Sequence, residues 1–244
     1  MKKVLITGGS EGIGYAFAEE YAKQGAALFL VAKDHIKLEQ AKNVLQGKYH
    51  VPVEILSVDL SLPQAAEEVF AVFASKEIDV LINNAGVGRT GEALTIANEE
   101  DEKLIQVNIT SLMILTKCFV GQMKKRGQGI LLNVASTGAF QPGPYQASYY
   151  ASKAFVLYYT RALNEELQGL GVSIYCLCPG PINTAFYQKS NGVMSRYHMS
   201  ARNCAVYALN HMHKKVVLIP GWFNRFLFYV PTAWKMHWLT KNKK

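Results

Sequence analysis

The sequence predicts an α/β fold in which a doubly wound parallel sheet of about seven strands is flanked by helices. Short runs that are apolar at nearly every position, typical of strands buried on both faces, alternate with longer helical patterns. The first run, Lys3–Thr7, leads directly into a glycine-rich turn and a helix. The length of 244 residues and the hydrophobic share of 50% suit one domain with a sizeable core.

The elements follow one another in a regular order. Strands are predicted at Lys3–Thr7, Ala26–Ala32, Val53–Val58, Val80–Ile82, Ile130–Ala135, Val172–Cys178 and Val216–Ile219. Helical patterns lie between them, at Ala16–Gly25, His35–Gln46, Glu67–Ser75, Glu99–Lys125, from Tyr149 to about Gly169, and at Ala201–His213. Because alternating strands and helices pack with right-handed crossovers, the pattern predicts a single Rossmann-like domain, residues 1–220, followed by an extension, residues 221–244.

The glycine-rich turn after the first strand indicates a phosphate site. Gly8, Gly12 and Gly14 stand between the strand and the helix. Glycines let backbone amides approach a pyrophosphate, which is favoured at the positive N-terminus of a helix. The spacing departs from the usual G-x-G-x-x-G, but the strand before it and the helix after it favour a dinucleotide.

The end of the second strand favours NADP(H), with NAD(H) possible. In dinucleotide-binding folds an acidic residue here binds the ribose of NAD, whereas a basic residue accommodates the 2′-phosphate of NADP. Ala32 is followed by Lys33, which favours the phosphate. Asp34 and Glu11 are nearby acids whose negative charge could oppose it. The alternative is that Lys33 only points into solvent.

Three residues near the fifth strand predict acid–base chemistry. Ser136 follows the strand, and Tyr149 and Lys153 are four residues apart, so they share one face of a helix. A phenol has an ordinary pKa of about 10, and a neighbouring cation lowers it. Tyr149 would then exchange protons while the serine hydroxyl holds a substrate carbonyl. Tyr150 is the alternative acid.

Taken together, these residues resemble the short-chain dehydrogenase/reductase family over roughly residues 2–220. The matched motifs are Thr7-Gly8-x3-Gly12-Ile13-Gly14, Asp59, Asn83-Asn84-Ala85-Gly86, Asn108, Ser136, Tyr149, Lys153 and Pro179-Gly180 with Thr184. The resemblance implies a catalytic tetrad in which Tyr149 exchanges the proton, Lys153 lowers its pKa and holds the ribose, and Ser136 orients the carbonyl. Asn108 would anchor a water that relays protons to Lys153, or would only distort its helix.

The resemblance also implies the cofactor site and the reaction. The implied cofactor-binding residues are Gly8, Ser10, Glu11, Gly12, Ile13, Gly14, Lys33, Asp59, Leu60, Asn84, Ala85, Gly86, Tyr149, Lys153, Pro179, Gly180, Ile182 and Thr184. The implied reaction is hydride transfer between NADPH and a carbonyl or hydroxyl substrate, in a homodimer or homotetramer. The alternatives are an NAD-linked alcohol dehydrogenase and a non-catalytic regulator that senses NADPH.

Aromatic residues near the C-terminus predict a lipophilic substrate and a contact surface. The segment expected to cover the substrate carries Phe186, Tyr187, Met194, Tyr197 and Met199. The stretch from Pro220 to Leu239 carries Trp222, Phe223, Phe226, Phe228, Tyr229, Trp234 and Trp238, and Lys241, Lys243 and Lys244 follow it. Such a tail suits a membrane surface, a lid or a subunit interface. Asn224 and Arg225 weakly resemble the ends of lipid and steroid carbonyl reductases, which favours a long-chain or polycyclic ketone.

The charge of the chain is strongly asymmetric. The net charge is +8, yet all 18 acidic residues lie at or before Glu166, and ten Lys and Arg follow it. A surface of one sign attracts anions such as phospholipid headgroups or phosphorylated substrates, and no nucleic-acid motif accompanies the charge. The four cysteines, which are expected to be reduced and buried, lack metal-ligand spacing, and no apolar run suggests a membrane span. A cytoplasmic protein is expected, and a peripheral location at a membrane surface is the alternative.

Overall fold

The computed structural model describes residues 1–184, 186, 198–230, 232, 234–236 and 240. The strands are β1 (Lys3–Thr7), β2 (Ala27–Ala32), β3 (Val53–Ser57), β4 (Val80–Asn83), β5 (Gly129–Val134), β6 (Val172–Leu177), β7 (Ile182–Asn183), β8 (Met199–Ser200) and β9 (Val217–Leu218). The α-helices are α1 (Gly12–Ala22), α2 (His35–Tyr49), α3 (Ala65–Phe73), α4 (Asn98–Ile105), α5 (Leu112–Arg126), α6 (Ala147–Glu166), α7 (Ala201–His211) and α8 (Trp222–Tyr229). Short 3-10 turns lie at Ala74–Lys76 and Thr137–Phe140.

The main sheet confirms the predicted doubly wound α/β fold. Seven parallel strands stand in the order β3-β2-β1-β4-β5-β6-β9. The strand order reverses beside β1, which pairs with β2 on one side and β4 on the other, so that Leu5 lies opposite both Phe29 and Leu81. Ligands of open α/β sheets bind in the crevice at such a reversal, at the carboxyl ends of the strands.

Apolar side chains cover both faces of the sheet, as the almost continuous apolar runs predict. On one face Phe17 of α1 and Leu38 of α2 pack with Ala205 of α7 in a fully buried cluster. On the other face Phe73 of α3 and Phe119 of α5 pack against the same strands. The strand ends are therefore held rigidly from both sides.

Several element ends differ from the prediction. The helix expected to run to about Gly169 ends at Glu166, and Gly169 and Gly171 then take positive φ angles in a turn toward β6. The last strand of the main sheet is only Val217–Leu218, an edge strand that pairs with Cys176 and Leu177. The small sheet of β7 and β8 was not predicted, since strands of two residues carry no recognisable pattern.

The segment Asn98–Arg126 forms one helix of 29 residues that is interrupted by a π-turn at Gln106–Ser111. Its length and its mean hydropathy of 1.5 over the best window would suffice to cross a membrane, which the sequence analysis did not anticipate. Half of that window is buried inside the fold. Burial of this kind is what a core helix of a soluble domain shows, so the helix is weak evidence for a membrane span.

The four cysteines are free thiols, as predicted. Cys176, Cys178 and Cys204 are buried, whereas Cys118 is only half-buried, so the expectation of full burial is wrong for that residue. Burial raises the pKa of the Cys204 thiol to about 12. This thiol therefore stays protonated at neutral pH.

Candidate active site

One cleft of about 730 Å³ lies at the carboxyl ends of the central strands. Its volume falls within the range of sites that bind cofactors and small molecules. Its walls are formed by Gly8, Ser10, Glu11, Gly12, Ile13, Ala32, Lys33, Asp34, Val58, Asp59, Leu60, Asn84, Ala85, Gly86, Val87, Val107, Val134, Ala135, Ser136, Tyr149, Lys153, Pro179, Gly180, Ile182, Thr184 and Phe186. Of the residues proposed for the site from the sequence, only Gly14 and Asn108 lie behind the wall.

The glycine-rich turn is shaped by close backbone packing. Gly8 has a φ of +63°, which a residue with a side chain rarely adopts, and a Cβ there would lie 2.8 Å from Nδ2 of Asn84. A Cβ on Gly14 would collide with the carbonyl oxygen of Gly8. Glycine at these positions lets α1 begin directly against the end of β1. The turn and the N-terminus of α1 thus fit the pyrophosphate of a dinucleotide.

The end of β4 is fastened to the end of β1 by a set of hydrogen bonds. The amides of Asn84 and Ala85 each donate to Oγ1 of Thr7 over 3.0 Å. Nδ2 of Asn84 donates to the carbonyl oxygens of Thr7 and Gly8 over 3.0 and 3.2 Å. These bonds fix the glycine-rich turn relative to the strand that carries Gly86 into the cleft.

Two lysines lie at the end of β2, and each is paired with a carboxylate. Nζ of Lys33 lies 2.6 Å from Oδ2 of Asp59, and the lysine side chain is otherwise largely exposed, at 77%. Nζ of Lys37 lies 2.7 Å from Oε2 of Glu11. Lys37, in the first turn of α2, was not predicted for the site; it does not line the cleft itself but pairs with Glu11, which does. Asp34 accepts a hydrogen bond from the Lys37 amide over 3.1 Å and caps α2.

The carboxylate of Asp59 is held in its ionised form. Burial acts to raise its pKa, but the Lys33 ammonium and hydrogen bonds from Ser61 outweigh burial, so the pKa lies below its ordinary value. Asp59 accepts from the hydroxyl and the amide of Ser61 over 2.7 and 3.0 Å. This fixed carboxylate and the apolar side chain of Val58 form the wall expected to face adenine. Val58, Val87 and Val107 were not predicted for the site, because apolar wall residues look like core residues in a sequence.

The other end of the cleft brings Ser136, Tyr149 and Lys153 together. Ser136 follows β5, and its Oγ accepts a hydrogen bond from the Gly138 amide over 3.1 Å. Tyr149 and Lys153 both lie on α6, with Nζ of the lysine 5.9 Å from the centre of the tyrosine ring. The ring of Phe186 lies 5.5 Å from that of Tyr149. Each of these side chains lines the cleft.

Lys153 is a buried cation at the floor of the cleft. Its side chain is only 4% exposed, and Nζ donates to the carbonyl oxygen of Val134 over 2.9 Å. Burial lowers its pKa to about 8, an effect that the nearby thiols of Cys176 and Cys178 oppose. A Cβ on Gly86 would lie 3.2 Å from Nζ, so this glycine keeps open the space in front of the ammonium.

Asn108 lies fully buried in the π-turn, behind the cleft wall. Its Oδ1 accepts from the Val87 amide, and its Nδ2 donates to the Val87 carbonyl oxygen, each over 2.9 Å. Nδ2 also donates to Oγ of Ser152 over 3.0 Å. The side chain therefore links the wall at Val87 to the turn of α6 that carries Lys153.

Tyr150 lies outside the cleft lining. Its ring packs against the loop at Gly138 and Gly143, where an added Cβ on Gly143 would collide with the ring. Burial raises the pKa of the Tyr150 phenol above its ordinary value. Such a phenol is poorly suited to exchange protons with a substrate, which favours Tyr149.

Part of the segment predicted to cover the substrate lies outside the described residues. Phe186 lines the cleft, and Met199 forms part of β8. Tyr187, Met194, Tyr197, Trp238, Lys241, Lys243 and Lys244, and the side chains of Phe228 and Tyr229, are outside the described part of the chain.

The chain is similar in sequence and in fold to known proteins. A family model described as short chain dehydrogenase matches residues 2–194. The very-long-chain 3-oxoacyl-CoA reductase of Mus musculus is 32% identical over 179 residues, which are 72% of this chain and 57% of that protein. The 17-beta-hydroxysteroid dehydrogenase type 3 of Homo sapiens is 33% identical over 189 residues, 77% of this chain and 61% of that protein. The chain therefore spans about three fifths of the length of these relatives.

A solved structure extends the similarity to nearly the whole fold. The short-chain dehydrogenase from Sphingobium yanoikuyae in complex with NADPH superposes with a TM-score of 0.87 at 29% identity. The match covers 99% of this chain and 94% of that one.

Proposed function

The chain belongs to the short chain dehydrogenase family, as the resemblance predicted, and from this premise we propose that it transfers hydride between NADPH and a ketone or secondary alcohol. The observation that carries the proposal is the position of Ser136, Tyr149 and Lys153 in the same cleft as the glycine-rich turn. Residues 1–220 would form the catalytic unit, and residues 221–244 an extension of it.

The described residues fit a dinucleotide along the cleft. The glycine-rich turn would hold the pyrophosphate at the N-terminus of α1. Asp59 and Leu60 would bind the adenosine, and Lys153 and Tyr149 the ribose next to the nicotinamide. The remaining contacts would come from Ser10, Glu11, Ile13, Asn84, Ala85, Gly86, Pro179, Gly180, Ile182 and Thr184. When bound, the nicotinamide supplies the hydride that a ketone needs at its carbonyl carbon.

Side chains of the protein would supply the proton and orient the ketone. Oγ of Ser136 already accepts a hydrogen bond from the Gly138 amide, so its own proton is available to the substrate oxygen. Tyr149 would donate its phenolic proton to the same oxygen as negative charge develops there. The ammonium of Lys153 favours the resulting phenolate, because an adjacent cation stabilises the charged form. Asn108 would hold the water through which a proton returns to Lys153.

We place the substrate among lipophilic ketones, either long-chain keto-lipids or steroid-like ketones. The apolar side chains of Val87, Ile182 and Phe186 line the cleft beside the polar residues. Two similar proteins are named for reactions on a 3-oxoacyl-CoA and on a hydroxysteroid. The presence of both Tyr149 and Lys153 disfavours a non-catalytic sensor, and Lys33 disfavours an NAD-linked alcohol dehydrogenase.

The quaternary structure and the location belong to the same proposal. We expect a homodimer or homotetramer, because the family generally forms oligomers, and no nucleic-acid partner. We expect a cytoplasmic protein whose extension makes a peripheral contact with a membrane.

Turnover with chosen ketones tests the proposal. The full chain is titrated with NADPH and NADH by fluorescence, and NADPH oxidation is then followed with a long-chain 3-oxoacyl-CoA and with a 17-ketosteroid. We expect tighter binding of NADPH and its oxidation with at least one of the two ketones. Tight NADPH binding without oxidation by any ketone would support the sensor instead, and preferred binding of NADH would support the alcohol dehydrogenase.

Replacing Lys33 and Lys37 with alanine is expected to remove the preference for NADPH. Each ammonium group is paired with a carboxylate of the cleft wall, Asp59 or Glu11, near the place where the 2′-phosphate would sit. A hydrogen bond to a charged group contributes about 1.5–3 kcal/mol. Affinity for NADPH should therefore fall about ten- to a hundredfold for each lysine replaced, while affinity for NADH changes little. The control is Lys42→Ala, which removes another α2 lysine that pairs with Glu39. An equal loss for both cofactors would refute the phosphate-binding role.

A further inference from the structure

The side chain of Asn224 on helix α8 packs against the wall of the cleft. Nδ2 of Asn224 donates to the carbonyl oxygen of Pro220 over 2.8 Å. The same amide group packs so closely against Gly180 that a Cβ on this glycine would collide with it. Because Gly180 lines the cleft at the end expected to hold the nicotinamide, α8 lies directly beside that end.

The opposite side of α8 presents aromatic side chains to water. Trp222, Phe223 and Phe226 are 74%, 45% and 59% exposed. At 3.6 residues per turn these three lie on one side of the helix, and Asn224 lies on the other. Exposed aromatic side chains clustered on one face are costly in water and mark a contact surface.

The charge carried by α8 has a single sign. Arg225, which is exposed, is the one charged residue between Trp222 and Tyr229. The sequence contains no acidic residue after Glu166. The helix that presents the aromatic face therefore carries a cation and no carboxylate.

We propose that α8 docks on an anionic lipid surface, with Trp222, Phe223 and Phe226 entering the headgroup region. Aromatic side chains flanked by Lys and Arg are the composition of interfacial membrane helices, and each cation near an anionic surface adds to the binding. A second copy of the same face fits less well, because it would bring like charges together.

Docking in this way would place the substrate end of the cleft next to the bilayer. Through Asn224 and Gly180 the lipid-binding helix and the cleft wall form one unit, so a lipophilic ketone could pass from the membrane into the cleft. Passage of a ketone rests on the proposed hydride transfer, whereas the lipid contact of α8 does not depend on that activity.

Co-sedimentation with vesicles tests the contact without any substrate. The full chain is mixed with vesicles of phosphatidylcholine plus phosphatidylglycerol, and with vesicles of phosphatidylcholine alone. We expect binding to the anionic vesicles that weakens as salt is added, because salt screens the cations. The double variant Trp222→Ser/Phe226→Ser should bind them about tenfold less or weaker still, since it loses buried apolar area. Equal sedimentation of parent and variant, or equal binding to both kinds of vesicle, would overturn the proposal.

A matched control and a second readout keep the result interpretable. Val44→Ser/Val72→Ser removes two exposed apolar side chains, 51% and 45% exposed, from α2 and α3, and should bind vesicles like the parent. NADPH titration checks that each variant is folded.

In the parent, tryptophan fluorescence should be quenched by brominated lipid, and absence of quenching would contradict insertion. Self-association that the double variant abolishes, with no vesicle binding by the parent, would assign the face to a second copy. A failed ketone assay would leave these measurements unaffected.

Discussion

Tyr149→Phe is expected to abolish ketone reduction while NADPH binding is retained. The variant lacks the phenolic proton but keeps the aromatic ring, which packs 5.5 Å from Phe186 and beneath which Lys153 lies. Loss of a positioned general acid typically costs about 10²- to 10⁴-fold in rate. The measurements are the rate of NADPH oxidation with a saturating ketone and the dissociation constant of NADPH by fluorescence.

The matched control is Tyr150→Phe. Tyr150 directly follows Tyr149 on α6, but its ring packs against Gly138 and Gly143 and does not line the cleft. Its loss of a hydroxyl should leave turnover within about twofold of the parent, as for a residue outside the reacting centre. If Tyr150→Phe is inactive and Tyr149→Phe is active, the assignment of the acid is wrong.

Lys153→Met is expected to lose turnover and yet to raise the thermal stability at pH 7. Burial lowers the pKa of Lys153 from 10.5 to about 8. Below pH 8 the folded protein therefore contains a buried ammonium group that would be more stable in water. At about 1.4 kcal/mol per pKa unit the charged form costs about 3 kcal/mol. Loss of the hydrogen bond to Val134 offsets about 1 kcal/mol of the gain. The net stabilisation of about 2 kcal/mol corresponds to a rise in Tm of several degrees.

The pH dependence of this gain follows from the direction of the shift. Below pH 8 both the folded and the unfolded parent carry the proton, so the full penalty is present. Between pH 8 and 10.5 the folded parent has released the proton that the unfolded chain still binds, so its stability rises with pH. The advantage of the methionine variant should therefore be largest at or below pH 7 and should fade toward pH 10. Lys42→Met, at a half-exposed position on α2, is the control and should not stabilise. A variant less stable than the parent at pH 7 would show that Lys153 is not a strained cation.

The fold was predictable because its signals are local. The apolar run of β1 followed by Gly8, Gly12 and Gly14 leaves few alternatives to a strand, a tight turn and a helix. The structure adds the reason why these residues must be glycine, which is the approach of Asn84 and of the Gly8 carbonyl oxygen. The contact with Asn84 could not be read from spacing, since Asn84 lies 76 positions along the chain from Gly8.

The site was predictable where its residues carry unusual chemistry, and not where they act through packing. Tyr149 and Lys153 stand out by their spacing, but the lysine's burial and its bond to Val134 depend on β5. Lys37 escaped notice because a lysine in the first turn of a helix is common. The π-turn around Asn108 comes from an extra residue in the helical turn, for which a periodic pattern gives no signal.

The most direct measurement is transfer of deuterium from NADPH labelled at C4 of the nicotinamide to a ketone. The parent is incubated with each C4 epimer of the labelled cofactor and a long-chain 3-oxoacyl-CoA or a 17-ketosteroid, and the product is analysed by mass spectrometry. The account predicts an alcohol that carries one deuterium at the former carbonyl carbon, from one epimer only, and none with Tyr149→Phe. Bound NADPH without deuterium in any product, or equal transfer by the Tyr149→Phe variant, would contradict it.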